Sequence, residues 1–79
     1  MDNKTLWSIE PGKEVSVERI LLEDDLSRRL EALGLNEGTI LQVITKKKSG
    51  AMVIKVRGSR LALGKQITSN IEVKEIVCG

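Results

Sequence analysis

The chain has 79 residues and a formal net charge of +2 at pH 7, with 41% hydrophobic and 30% charged residues. This balance is typical of one folded domain and excludes a disordered chain. The chain holds no His, Tyr or Phe, one Trp and one Cys, which excludes an intramolecular disulfide, a Cys/His metal cluster and an aromatic platform for stacking nucleic-acid bases.

The first residues predict a helical turn followed by a strand. Leu6 and Ile9 are three positions apart, so one helical turn would place both side chains on one face. Pro11 and Gly12 then predict a chain reversal. From 13–20, apolar and polar residues alternate with a period of two, which predicts a strand with one buried face.

Residues 24–34 predict the one α-helix of the chain. Asp24 is suited to the N-cap position, and Gly34 to the left-handed position that follows a helix. Apolar residues recur every three or four positions and predict a buried stripe: Leu26, Leu30 and Leu33. After the helix, Gly38 predicts a turn residue with a positive φ angle.

The second half predicts strands separated by glycine-containing turns. The predicted strands are 39–46, 52–57, 60–63 and 71–77, with a hairpin connection over 47–51 and a short 3₁₀ turn within 65–70. The whole chain, 1–79, is therefore predicted to be a single, mainly β domain. It would be a small barrel of about five short strands with one α-helix, and partial closure would protect the edges of so small a sheet.

Two apolar side chains fall on the strand faces opposite this predicted core. They are Ile40 in the second strand and Val53 in the third. They could form a second small cluster or the seam of a homodimer. The sequence leaves both alternatives open.

Several segments together resemble the ferrous iron transport protein A family, FeoA. They are 28–39, with the sequence RRLEALGLNEGT, and 56–65, with the sequence VRGSRLALGK. The lead-in at 6–12 and the segment Ile-Glu-Val at 71–73 are also similar to the family pattern. The resemblance extends over about residues 5–77, which is nearly the whole chain.

The resemblance implies an SH3-like barrel and a small cytosolic accessory protein of bacterial ferrous iron uptake. The implied partner is a membrane ferrous iron permease that carries a cytosolic GTP-binding domain, and the protein would reach the membrane only through that partner. The resemblance also implies kinship with the C-terminal barrel of iron-dependent repressors, so the alternative is a metal-responsive or nucleic-acid-associated regulatory module. Nucleic acid is not the expected partner, because neither several aromatic residues nor a strong positive charge is present.

Composition agrees with a non-enzymatic, cytoplasmic role. Acid–base catalysis would have to depend on Asp, Glu and Lys alone, so we expect no enzyme activity. The longest uninterrupted apolar run, residues 51–54, has four residues. It is too short for a membrane span or the core of a signal peptide.

Six residues are candidates for contact with a partner: Trp7, Lys46, Lys47, Lys48, Arg57 and Arg60. The tryptophan could be an interface anchor or could cover the small core. The lysine run could meet acidic protein, lipid headgroups or nucleic-acid phosphate, or it could be a solvated hairpin tip. The arginines could clamp a carboxylate or form surface ion pairs with Glu72 or Glu75.

Metal ligation has four candidate residues: Glu23, Asp24, Asp25 and Cys78. Carboxylates could bind a hard divalent cation, although Asp24 is also explained as a helix cap. The thiol could be redox-sensitive or an incidental group near the chain end. We expect that no cofactor is required, and direct binding of Fe²⁺ or Zn²⁺ stays a candidate property.

Overall fold

Six strands and two short helices make up residues 4–76, the part of the chain that the structure, a computed structural model, describes. The strands are β1 (Lys4–Thr5), β2 (Glu14–Ile20), β3 (Ile40–Lys46), β4 (Ala51–Val56), β5 (Ser59–Gly64) and β6 (Ile71–Glu75). The helices are α1 (Asp24–Ala32) and α2 (Lys65–Thr68), and a 3₁₀ turn covers Leu6–Ser8. No helix within 4–76 is long and apolar enough to cross a membrane.

All six strands belong to one antiparallel sheet with the order β1-β6-β2-β3-β4-β5. The register shifts once between β2 and β6, at Val17/Arg19, and once between β3 and β4, at Val43/Thr45. Such bulges bend a sheet and increase its twist. The sheet therefore wraps around a core without closing, with β1 and β5 at its edges. The five predicted strands are confirmed, whereas β1 is too short to show a period in the sequence.

The core is built from the alternating residues that predicted the strands. Its members are 6% exposed or less: Leu6, Ile9, Val15, Val17, Leu30, Leu35, Leu41, Val43, Met52, Ile54, Val56, Leu63, Ile71 and Val73. Leu6 and Ile9 come from the predicted helical turn and are both buried. The turn thus covers one part of the core and leaves the residue between them, Trp7, at its border.

Helix α1 differs from the prediction at both ends. Its N-cap is Glu23 rather than Asp24, and that cap makes no side-chain hydrogen bond. The helix ends at Ala32, and Leu33 is 52% exposed instead of contributing to a buried stripe. Gly34, at φ +93°, reverses the chain, and the Leu35 N–H donates to the Leu30 carbonyl at 2.8 Å. Leu35 therefore occupies the core position that the helical period assigned to Leu33.

A short turn connects α1 to β3 and is held by one buried threonine. The Thr39 hydroxyl accepts the Asn36 N–H at 2.9 Å and donates to the Gly34 carbonyl at 3.3 Å. Gly38, at φ +88°, donates its N–H to the Val17 carbonyl at 2.6 Å. The predicted positive φ at Gly38 is confirmed, and the bond ties the turn to β2.

The connection between β5 and β6 is an α-helical turn rather than the predicted 3₁₀ turn. The Ser69 N–H donates to the Lys65 carbonyl at 2.9 Å, four residues back, as in an α-helix. The helix contacts β4, β5 and the 3₁₀ turn at Leu6–Ser8. It thereby brings Lys65 to the border of the core where Trp7 lies.

Candidate partner-binding surfaces

Trp7 lies half-buried between the core and solvent, so it covers part of the small core and keeps part of its surface exposed. Its ring packs against the buried cluster. Above the ring lie two ammonium groups, with Lys46 Nζ 5.3 Å and Lys65 Nζ 5.5 Å from the ring centroid. Both distances fall within the range of a cation–π contact.

The hairpin between β3 and β4 carries three consecutive lysines, of which Lys46 lies over this tryptophan. The Lys47 N–H donates to the Ala51 carbonyl at 2.7 Å, and the Gly50 N–H donates to the Lys47 carbonyl at 3.0 Å. These bonds fix a tight loop in which Lys47 and Lys48 are exposed. We define the tryptophan–lysine surface as Trp7, Lys46, Lys47, Lys48 and Lys65.

Lys65 is the member of this surface that sequence reasoning missed. It lies within 3.6 Å of the position that a Cβ on Gly50 would occupy, so α2 packs directly against the hairpin. Between them is a depression of about 530 Å³ lined by Ser49, Gly50, Ala51, Gly64, Lys65, Gln66 and Ile67. Nothing in the sequence signals this contact, because it depends on where α2 returns to the sheet.

A two-residue turn connects β4 to β5 and carries the first candidate arginine. Arg57 and Gly58 have φ angles of +52° and +84° and lie between the paired residues Val56 and Ser59. Positive φ at both central residues is the signature of a type I′ turn. Arg57 is the one non-glycine residue with positive φ within 4–76. The left-handed region is costly for a residue with a Cβ atom.

The arginines at this turn make no ion pair within residues 4–76. The predicted pairing of an arginine with Glu75 is wrong, because Glu75 lies 2.6 Å from Lys4 Nζ and 3.5 Å from Lys13 Nζ. The hydrogen bond from Lys4, more than its charge, lowers the pKa of Glu75, and the same bond raises the pKa of Lys4. Arg57 and Arg60 are both exposed.

Apolar, basic and acidic side chains lie beside the arginine turn. Ile40 is 57% exposed and lines, with Glu14, Lys55 and Arg57, a depression of about 230 Å³. Lys55 is directly opposite Arg60 in the β4–β5 register, which places like charges side by side. We define the arginine surface as Ile40, Lys55, Arg57 and Arg60.

The predicted partner-binding residues therefore divide into two groups. The hairpin with Lys46 to Lys48 lies at one end of β4, and the turn with Arg57 lies at the other. A strand of six residues is about 20 Å long. The structure brings Trp7 together with Lys46 and separates it from the arginines.

The acidic candidates form no comparable cluster. Glu23, Asp24 and Asp25 are exposed at the start of α1. Within residues 4–76, no group of three or more His, Cys, Asp or Glu side chains is arranged to hold a metal ion. Cys78 lies outside the described residues. Ile40 and Val53 share an outward side but are not register partners, since Val53 pairs with Thr45 across β3 and β4.

The fold and its surfaces define a small SH3-like domain with exposed basic sites. The family model described as the FeoA domain matches residues 4–75, and the chain belongs to the FeoA family. It is 32% identical to a protein of Methanocaldococcus jannaschii named Fe(2+) transport protein A, over 86% of this chain and 82% of that protein. The resemblance seen in the sequence is thus confirmed.

Solved structures show the same fold. A crystal structure of an iron uptake regulatory protein, FeoA, matches with a TM-score of 0.84 and 29% identity, covering 91% of this chain and 96% of that chain. A FeoA protein of Chlorobium tepidum, solved by NMR, matches with a TM-score of 0.87 and 24% identity, covering 92% of this chain and 70% of that chain. A manganese-dependent transcriptional repressor matches with a TM-score of 0.88 and 20% identity, covering 96% of this chain and 38% of the repressor. At that identity, the likeness shows shared fold alone.

Proposed function

We propose that this FeoA protein is a non-catalytic accessory of ferrous iron uptake that binds the cytosolic GTP-binding domain of the ferrous iron permease. Family membership supports the link to iron transport. The observation that carries the docking proposal is Arg57, which is held in a left-handed backbone conformation, makes no ion pair within residues 4–76 and lies next to exposed Ile40. Backbone strain that persists in a small domain is often retained for a functional reason.

The arginine surface has the composition of a protein-binding site. Arginine is enriched at interface hot spots, where its planar guanidinium binds a carboxylate through two hydrogen bonds. Ile40 supplies apolar area beside that charge, and Lys55 and Arg60 extend the positive patch. The partner surface would therefore present carboxylates around an apolar centre.

A titration of the labelled full chain with the isolated GTP-binding domain tests this proposal. Backbone amide NMR shifts should cluster around Ile40, Lys55 and Arg57 in at least one nucleotide state. Replacing Arg57 by asparagine should weaken binding tenfold or more, the usual size of a hot-spot effect. Arg19→Gln is the matched control, because it removes an exposed arginine of β2 outside this surface and should leave affinity unchanged.

Two results would contradict the proposal. One is the absence of shifts with the domain in its apo, GDP and GTP states. The other is equal weakening by the Arg57 and Arg19 variants, which would mean that overall charge and not the arginine surface controls binding. An assay of GTP hydrolysis with and without the chain would then give the direction of any regulatory effect.

A further inference from the structure

We propose that the tryptophan–lysine surface binds the phosphate headgroups of an anionic membrane directly. This inference is independent of the permease, because it concerns the other end of β4 and a different chemical partner. It also differs from the expectation that the protein reaches a membrane only through its protein partner.

The first observation is the concentration of positive charge at this end of the described domain. Lys46, Lys47, Lys48 and Lys65 make no ion pair within residues 4–76. Among the described residues, no carboxylate lines the depression between the hairpin and α2. Each such lysine gains favourable free energy near an anionic bilayer, and the contributions of a cluster accumulate.

The second observation is the position of Trp7 within this charge. Tryptophan is favoured at the boundary between headgroups and hydrocarbon, because its indole has a large apolar body and one polar N–H. Trp7 is half-buried, so part of this residue stays accessible to solvent while the rest packs against the core. The ammonium groups of Lys46 and Lys65 lie over the ring within cation–π distance, which places two positive charges directly beside the indole.

The chemistry of the cations favours lipid phosphate over the other anionic partners. All four are lysines, flexible point charges that can follow a mobile array of lipid phosphates, whereas arginine is preferred where a carboxylate or phosphate is held in a fixed geometry. The arginines of this chain that are candidates for such recognition lie at the opposite turn. Single-stranded nucleic acid would require several stacking aromatics, and the sequence holds one.

Intrinsic fluorescence gives a site-specific test, because Trp7 is the only aromatic residue of the chain. The full chain is mixed with vesicles of phosphatidylglycerol and phosphatidylcholine in equal amounts, and separately with vesicles of phosphatidylcholine alone. We expect a blue shift of the emission and co-sedimentation with the first vesicles and not with the second. Binding should weaken steeply as salt is raised from about 50 to 200 mM, since the Debye length shortens.

Charge-removing variants locate the surface. The double variant Lys47→Gln/Lys48→Gln should bind anionic vesicles about 25-fold more weakly, because each lysine near such a surface contributes roughly a fivefold change in affinity. The matched control Arg28→Gln/Arg29→Gln removes the same charge from exposed positions of α1, which belong to neither defined surface. It should change affinity by no more than about twofold, because exposed charges outside the contacting surface are largely screened by salt.

Three outcomes would overturn the proposal. The anionic vesicles could fail to bind at low salt, or the two double variants could weaken binding equally. Alternatively, the emission of Trp7 could respond to the soluble GTP-binding domain and not to vesicles, which would make this surface a protein-docking site. Thermal unfolding of each variant shows that it is folded, so weakened binding is not a folding defect.

Discussion

Replacing Arg57 by asparagine should stabilise the domain while weakening its proposed protein contact. Arg57 occupies the first central position of the type I′ turn with φ +52°. Asparagine tolerates this region because its short side chain can hydrogen-bond locally, and Asn-Gly is the favoured pair for this turn. The variant would create that pair with the existing Gly58.

The expected increase in the free energy of unfolding is the backbone strain that is relieved minus the packing of the arginine stem that is lost. A left-handed residue with a Cβ costs roughly 1–2 kcal/mol, of which asparagine relieves a part. The stem of Arg57 lies with its Cδ 3.6 Å from the position that a Cβ on Gly34 would occupy. Burying one methylene fully stabilises a protein by about 0.8 kcal/mol. Because Arg57 is exposed, removing its stem should cost only a fraction of that value for each methylene. The net gain should be about 0.5–1 kcal/mol, close to 3–6 °C in Tm for a chain of this length.

Urea unfolding followed by the fluorescence of Trp7 measures this change as a shift in the denaturant midpoint. Arg57→Ala is the control, because it removes the same stem and charge but keeps a Cβ in the left-handed conformation. It should be neutral or destabilising. If the asparagine variant is no more stable than the alanine variant, the backbone at Arg57 is not strained and the argument for a functional reason fails.

Three further predictions concern the core, the turn after α1 and the ion pair between β1 and β6. Leu35→Ala should lower the free energy of unfolding in urea by about 2–5 kcal/mol, and Leu33→Ala by less than about 0.5 kcal/mol, because only Leu35 is buried. Similar losses in the two variants would contradict the chain reversal after α1. Thr39→Val should lower the free energy of unfolding by about 1–3 kcal/mol, because the Asn36 N–H loses its acceptor. An unchanged free energy of unfolding would mean that water replaces the hydroxyl. Glu75→Gln should flatten the acid limb of a plot of Tm against pH. The lowered pKa of Glu75 means that its contribution is present above its unfolded pKa and lost as pH falls through the folded pKa; an unchanged acid limb would show that the bond with Lys4 is too solvated to matter.

The strands were predictable because their side chains alternate between a core and solvent. In β4, Met52, Ile54 and Val56 are buried, while Val53 and Lys55 point to the other side, and this period of two is visible in the sequence. Two glycine turns were also predictable, since Gly34 and Gly38 both have the positive φ that their positions in the sequence indicate. These features depend on near neighbours in the chain.

Features that depend on distant contacts were not predictable. The helical period assigns Leu33 to the buried stripe, whereas the core that the sheet forms receives Leu35 instead. Lys65 is far in sequence from Trp7 and reaches its ring only because α2 packs beside the 3₁₀ turn. The positive φ of Arg57 follows from the tight closure of β4 and β5, which the residue type itself disfavours.

The separation of the two surfaces has a consequence for both proposals. They lie about 20 Å apart along β4, so one end could contact a bilayer while the other contacts a cytosolic domain. Substitutions more than about 10 Å apart with no shared partners have additive effects. The Lys47/Lys48 double variant should therefore keep its affinity for the GTP-binding domain, and the Arg57 variant should keep its affinity for anionic vesicles. Loss of both affinities in either variant would mean that the two ends form a single binding site.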